Sequence, residues 1–271
     1  MKFAKLDTRS LVNVTGEDAE KFLQALITCD VDHLSPGEGN FGALLTPQGK
    51  ILFDFFIIRT EAGFLVDVAS ALRDEFVKRL SFYKLRAKVV VAPADDLSVF
   101  AVWDGIPADG MAIADPRLPE MGYRLYGPQK PEGEDADYEA HRIALGMPEG
   151  GTDYAYGDAF PHEALMDQFG GVDFAKGCYV GQEVVSRMQH RGTARKRVIV
   201  VEGDLPAPGT EIEAGGKTAG TMGSSNGAAG LAMLRLDRVP AALDAGHALQ
   251  AGGKTLTAKL QPWVKFGWPE T

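Results

Sequence analysis

The chain has 271 residues, 45% of them apolar and 24% charged, a balance that excludes a disordered polymer and fits two folded modules in one chain. No run approaches the roughly 20 apolar residues of a membrane helix, and the opening Met1-Lys2-Phe3-Ala4-Lys5 has neither an apolar nor an Arg/Ser-rich leader, so a cytoplasmic protein without membrane association is expected. Two cysteines, Cys29 and Cys178, are too few for a disulfide framework or a self-contained metal site.

In chain order, residues 8–14 read as a strand. Thr15 is the expected cap of a helix running to about Thr28, since Asp18 follows three residues later and Ala19, Phe22, Leu23 and Leu26 share a stripe. Residues 40–45 and 51–58 flank Thr46-Pro47-Gln48-Gly49, a turn signature that makes them a hairpin. Glu61-Ala62-Gly63 turns into a strand at 64–68, and Ser70 caps a second helix with Leu72, Phe76, Leu80 and Tyr83 inward. Strands follow at 88–91 and 99–103, then a strand-and-loop excursion over 104–133 and a short helix over 138–145. This order predicts α+β units of the ferredoxin-like kind rather than a doubly wound sheet. Beyond Arg195, short β runs at 198–201, 217–222, 231–236 and 254–260 alternate with glycines and predict a small antiparallel barrel. The domains are accordingly drawn as 1–194 and 195–271.

The net charge of −9 is unevenly spread. Residues 104–173 carry 15 acidic and 4 basic side chains, whereas 176–197 carry 6 basic ones against Glu183 alone. A dense positive segment inside an acidic protein predicts a local anion site rather than a general affinity for nucleic acid. The same segment holds Lys176-Gly177-Cys178-Tyr179-Val180-Gly181-Gln182-Glu183. Its glycines permit a strained turn, and Gln182 to Met188 is helix material, which puts Cys178 just ahead of a helix N-terminus. There the helix dipole, with Lys176 beside it, favours thiolate over thiol. Cys178 is therefore the candidate reactive group, and Cys29 reads as core.

The string KGCYVGQE resembles the signature of the YgfZ family, folate-binding relatives of the glycine-cleavage T-protein. AEKFLQALITCDV, GKILFDF, YKLRAKV, DPRLPEMGYRL, HRIALGMPEG, PHEALMD and GTARKR resemble the family in order. The DPR and RKR stretches are most similar to the branch containing the mitochondrial iron–sulfur assembly factor and its bacterial counterparts. The resemblance implies an α+β, T-protein-like ring of ferredoxin-like subdomains around a central folate channel, with a C-terminal antiparallel β-barrel. It also implies tetrahydrofolate as ligand and iron–sulfur client or assembly proteins as partners, including the radical enzymes that thiomethylate tRNA.

Glu163 matches the family's pterin-binding glutamate. Tyr83 and Tyr179 are candidates to stack on the rings, and Arg187 and Arg195 offer guanidinium forks for the tail carboxylate. Lys176, Gln182 and Glu183 of the cysteine motif complete the ligand-binding set. Where the T-protein has two adjacent aspartates, this chain has Phe53 and Asp54. A phenyl ring cannot hold a proton, which argues against aminomethyl transfer, although Asp54 remains a candidate catalytic acid. The preferred expectation is a folate-dependent accessory factor for iron–sulfur proteins. The alternatives are a one-carbon transferase and a tRNA-binding module using residues 187–197, the latter opposed by the acid excess elsewhere. A monomer or weak oligomer is expected, and the histidines show no metal-ligand spacing.

Overall fold

The structure, a computed structural model, describes residues 1–108, 110–192 and 194–269. Two compact units divide the chain: Met1–Tyr138 with Phe169–Val184, and Glu139–Gln168 with Val185–Thr271.

The first unit is built from β1 (Lys2–Lys5), β2 (Arg9–Thr15), α1 (Ala19–Gln24), β3 (Gly39–Leu45), β4 (Ile51–Thr60) and β5 (Gly63–Ala69). It continues with α2 (Arg73–Tyr83), β6 (Val90–Pro93), β7 (Ser98–Trp103), β8 (Met111–Ala114), β9 (Tyr123–Gly127) and β10 (Glu134–Asp135). The strands form two five-stranded sheets, ordered β3-β4-β5-β2-β6 and β10-β1-β7-β9-β8, with β1–β10 the one parallel pair among the described ladders. Strand alternation assigns the faces. Phe53, Phe55 and Ile57 of β4 enter one apolar core with Ala19 and Leu23 of α1 and Phe76 and Leu80 of α2. Asp54 and Phe56 consequently face the other way.

The predicted hairpin is present, and Thr46 accepts the Gly49 N–H at 2.9 Å with Gly49 at φ +81°. The predicted caps are not. Thr15 stays in β2, paired with Gly63 and Val90, and α1 is six residues long rather than reaching Thr28. Asp18 accepts the Lys88 N–H at 2.7 Å instead of serving a helix end. The Ser70 hydroxyl likewise meets Ser10 Oγ at 2.8 Å, and a 3-10 turn over Ser70–Leu72 precedes α2. Tertiary partners outcompete local capping at both residues.

The second unit contains α3 (Tyr138–Ala144) from Glu139 onward, the part of α4 (Gln182–Arg191) from Val185 onward, and β11 (Lys196–Gly203), β12 (Glu211–Ala214), β13 (Lys217–Asn226) and β14 (Ala229–Arg235). It ends with α5 (Arg238–Asp244), β15 (Leu249–Ala251) and β16 (Lys254–Lys259). The six strands close into the expected antiparallel barrel in the order β11-β14-β13-β12-β15-β16, with β11 also pairing β16. Ile199, Val201, Ile212, Leu234, Leu249 and Leu256 fill it, and Val239 and Ala242 of α5 join that core. β12, β15 and α5 escape the sequence reading because they are short and interleave polar with apolar residues. Segment 139–168 is tied in by Asp153, which accepts Arg142 Nη1 at 2.8 Å and the Ser224 N–H at 2.7 Å.

Candidate functional site around Cys178

The cysteine motif lies on a segment fastened to the loop after α1. Thr28 Oγ1 donates to the Gly171 carbonyl at 2.7 Å, and the Thr28 carbonyl accepts the Asp173 N–H at 2.9 Å. The Asp173 carboxylate in turn accepts the N–H groups of Ala175 and Lys176 at 2.7 and 3.1 Å. Lys176 then turns inward, and its ammonium donates to the carbonyls of Ile27 and Cys29 at 2.8 and 2.7 Å. Burial depresses the Lys176 pKa.

Past the cysteine, Gly181 adopts φ +83°, and a Cβ there would stand 2.6 Å from the Thr46 carbonyl oxygen. A Cβ on Gly49 would stand 3.1 Å from the Val184 side chain. Two glycines from separate motifs thus let the β3–β4 turn pack against the start of α4. The result is a closely packed seat with Cys178 exposed upon it, at a depression of about 440 Å³ lined by Glu20, Lys21, Gln24, Asp32 and Gly177.

This corrects the expected cationic setting. Lys176 spends its charge on the Ile27–Cys29 loop, and two carboxylates share the depression with Lys21. Cys178 precedes α4 by four residues, outside the first turn where the helix dipole acts. Cys29 is core as expected, and burial pushes its thiol up to about 12. Arg197 is also removed from the predicted anion site, because it is buried in a two-pronged pair with Asp167 at 2.7 and 2.9 Å. Arg187, Arg195 and Lys196 remain exposed.

The other candidates are distributed as follows. Tyr179 is buried, and desolvation followed by Asp173 pushes its hydroxyl up to about 12. Tyr83 packs half-buried against the core at the end of α2. Gln182 opens α4, half-buried, with Glu183 exposed beside it. Asp54 is buried 3.7 Å from Arg9 Nη1, while Arg9 Nε donates to Asp67 at 2.6 Å. Phe53 meets the Phe76 ring edge-on at 5.3 Å. Since α1 packs on the Phe53 face, Asp54 and the Cys178 depression lie on opposite sides of that sheet.

In the second unit, Glu163 Oε2 accepts the Phe160 N–H at 2.8 Å. Glu163 lines a cleft of about 550 Å³ together with Tyr154, Asp158, Lys196, Thr221 and Met222. No group of three or more metal-binding side chains occurs among the described residues, and Cys178 itself would supply one thiolate to an iron centre.

Sequence reasoning missed a polar layer between the two sheets of the first unit. Asp115 holds Arg117 by two bonds of 3.0 and 2.7 Å, and the guanidinium lies over Phe56 at 4.8 Å. Burial works to raise the Asp115 pKa, but Arg117 outweighs it and holds the carboxyl below its usual range. Arg124 lies over the same ring at 4.4 Å, donates to the Tyr138 hydroxyl at 2.7 Å, and leaves Nε and Nη1 without a partner. The available signal was Asp115 two residues before Arg117, with Arg124 close behind among apolar residues, in DPRLPEMGYRL.

Comparison with known proteins places these observations among relatives. Residues 6–104 match the GCVT N-terminal domain, and residues 195–266 match the CAF17 C-terminal beta-barrel domain. The chain is 32% identical to the human "Iron-sulfur cluster assembly factor IBA57, mitochondrial", over 98% of this chain and 85% of that protein. It is 34% identical to the protein of the same name from Mus musculus, over 87% and 78%. The glycine cleavage system aminomethyltransferase T from Bartonella henselae shares the fold, with a TM-score of 0.75 over 97% of this chain and 86% of that one, at 14% identity.

Proposed function

The chain belongs to the family of iron–sulfur cluster assembly factors represented by the human and mouse proteins, and on that footing we propose that it assists the assembly or repair of iron–sulfur proteins with Cys178 as its working thiol. The observation that carries this reading is an exposed thiol on a seat fastened by Lys176, Thr28 and Gly181. The cluster is cargo. The thiol gives up its proton, its sulfur takes one position on an iron, and a partner protein or glutathione fills the rest. The tRNA-thiomethylating radical enzymes are among the proposed recipients.

Tetrahydrofolate is the second part of the reading, and the cleft of the second unit fits it. At about 550 Å³ the cleft is large enough for the bicyclic ring of a pterin. Glu163 would accept from the pterin N–H groups, Tyr154 would lie against a ring, and Lys196 would meet a tail carboxylate. When bound, the reduced folate supplies a one-carbon carrier; the residues of this chain bind and orient it. Aminomethyl transfer is not favoured, because Asp54 faces Arg9 in a buried ion cluster and Phe53 belongs to the core. RNA binding is not favoured either, because Lys176 and Arg197 are withdrawn from the basic segment.

Anaerobic reconstitution with ferrous iron, sulfide and glutathione tests the thiol. Visible absorption of a bound cluster is expected for the wild type and for Cys29→Ala, and its loss for Cys178→Ser. Equal absorption for all three would overturn the assignment.

A further inference from the structure

We propose that Arg197 is a positioning residue for Glu163, gripping both ends of the turn that carries this carboxylate to the cleft of the second unit. The inference rests on the folate reading of that cleft and gives Arg197 no contact with the ligand.

The turn holds a carboxylate locked to its own backbone. Glu163 Oε2 accepts the Phe160 N–H at 2.8 Å, and the Glu163 N–H donates to the Phe160 carbonyl at 2.9 Å. With side chain and main chain both bonded to one residue, the aim of the carboxylate follows the aim of the turn. Leu165 then reverses the chain at φ +63° while fully buried. An L-residue keeps that left-handed conformation only where its surroundings impose it.

The start of β11 supplies those surroundings. Arg197 Nη1 donates to the His162 carbonyl at 2.9 Å and to Asp167 Oδ1 at 2.7 Å, while Nη2 reaches Asp167 Oδ2 at 2.9 Å. One planar guanidinium thus closes the span from residue 162 to residue 167, with Glu163 and Leu165 between its two attachments. The next residue, Val198, donates its N–H to the Glu163 carbonyl at 2.9 Å. The Phe266 ring lies 4.3 Å from the guanidinium carbon, and the Lys265 N–H donates to Gln168 Oε1 at 2.8 Å. The C-terminal segment therefore backs both the clamp and the end of the turn. Strand alternation separates the basic neighbours: Lys196 lines the cleft, and Arg197 points the opposite way into its pair with Asp167.

Two simpler roles fit less well. Burial withholds Arg197 from a ligand, its side chain being 8% exposed and that of Asp167 3%. A pair kept for stability alone is not favoured either, because apolar side chains of similar volume commonly match a buried ion pair. What they cannot supply is the bond to the His162 carbonyl. Lysine, a point charge without the fork, cannot hold that carbonyl and the carboxylate in one plane.

The test is calorimetric titration of the full chain with tetrahydrofolate. Arg197→Lys should bind about tenfold more weakly than wild type. Combined with Glu163→Gln, it should add little to the loss that Glu163→Gln causes alone, since residues acting through one contact are not additive. Arg197→Met together with Asp167→Leu removes both charges. That variant should melt close to wild type yet bind as weakly as Arg197→Lys, with faster amide exchange at Leu165 and Val198. Wild-type affinity in both Arg197 variants would overturn the proposal and leave the folate reading standing. So would losses that multiply in the Arg197→Lys, Glu163→Gln combination, which would reduce the clamp to a structural pair. No binding by the wild type would overturn the folate reading itself, and this inference with it.

Discussion

The Lys176 ammonium ends 2.7 Å from the carbonyl oxygen of Cys29, so the one lysine of the cysteine motif fastens the motif to the chain rather than charging its neighbour. Replacing it with Met should leave two buried carbonyls short of a donor. A loss of about 1–3 kcal/mol is expected in urea denaturation, with faster amide exchange over residues 174–181. Unchanged stability and exchange would mean that the segment is held by Thr28 and Asp173 alone.

Alkaline pH should single out Cys29. Its folded pKa of about 12 stands above the unfolded value of about 9, so its contribution is whole below pH 9 and is lost as pH rises toward 12. The ceiling is about 4 kcal/mol at 1.36 kcal/mol per unit. Wild type should therefore lose stability more steeply than Cys29→Ala above pH 9. Parallel pH profiles would contradict the buried thiol.

Gly181→Ala and Gly49→Ala test the close approach of turn and helix. Both glycines sit at positive φ, so each alanine carries left-handed strain of about 1–2 kcal/mol; Gly181→Ala adds a Cβ 2.6 Å from the Thr46 oxygen and should cost more than Gly49→Ala, whose nearest contact is 3.1 Å. Because the sites share an interface, the double variant should lose less than the sum of the singles. Denaturant midpoints decide both points.

Most of the architecture was legible in the chain. The β3–β4 hairpin follows from Pro47 and Gly49 between apolar runs, and the barrel from short β runs punctuated by glycine, because these patterns are local. The helix starts were misread where Thr15 and Ser70 found distant partners, which no local pattern records. At the site, the sequence separated exposed Cys178 from buried Cys29. It could not reveal where the Lys176 side chain points, since a charge count treats an inward ammonium and an outward one alike. Arg117 and Arg124 were hidden for the same reason.

That hidden layer makes its own prediction. Asp115→Asn strands the Arg117 charge in the interior and should cost about 3 kcal/mol. The lost contribution is one that is present above the unfolded carboxyl range near about 4 and fades as pH falls through the lower folded value, so the variant should lack that part of acid unfolding. Arg124→Met removes a guanidinium with two unpartnered nitrogens and should be close to neutral, within about 1 kcal/mol. Thermal unfolding at neutral and acid pH checks the pair.

Folate binding can be separated from thiol chemistry. Calorimetric titration should find tetrahydrofolate binding to wild type and to Cys178→Ala alike, with a rise in melting temperature by mass action. Glu163→Gln should bind about tenfold more weakly. Equal binding by Glu163→Gln would remove the cleft from the account while leaving the cysteine in it.

The most direct measurement is complementation in cells from which this chain has been deleted, reading the activity of cluster-dependent enzymes. Wild type and Cys29→Ala should restore those activities, and Cys178→Ala, present at the same level, should not. Full restoration by Cys178→Ala would contradict the claim that this thiol is what the seat was built to present.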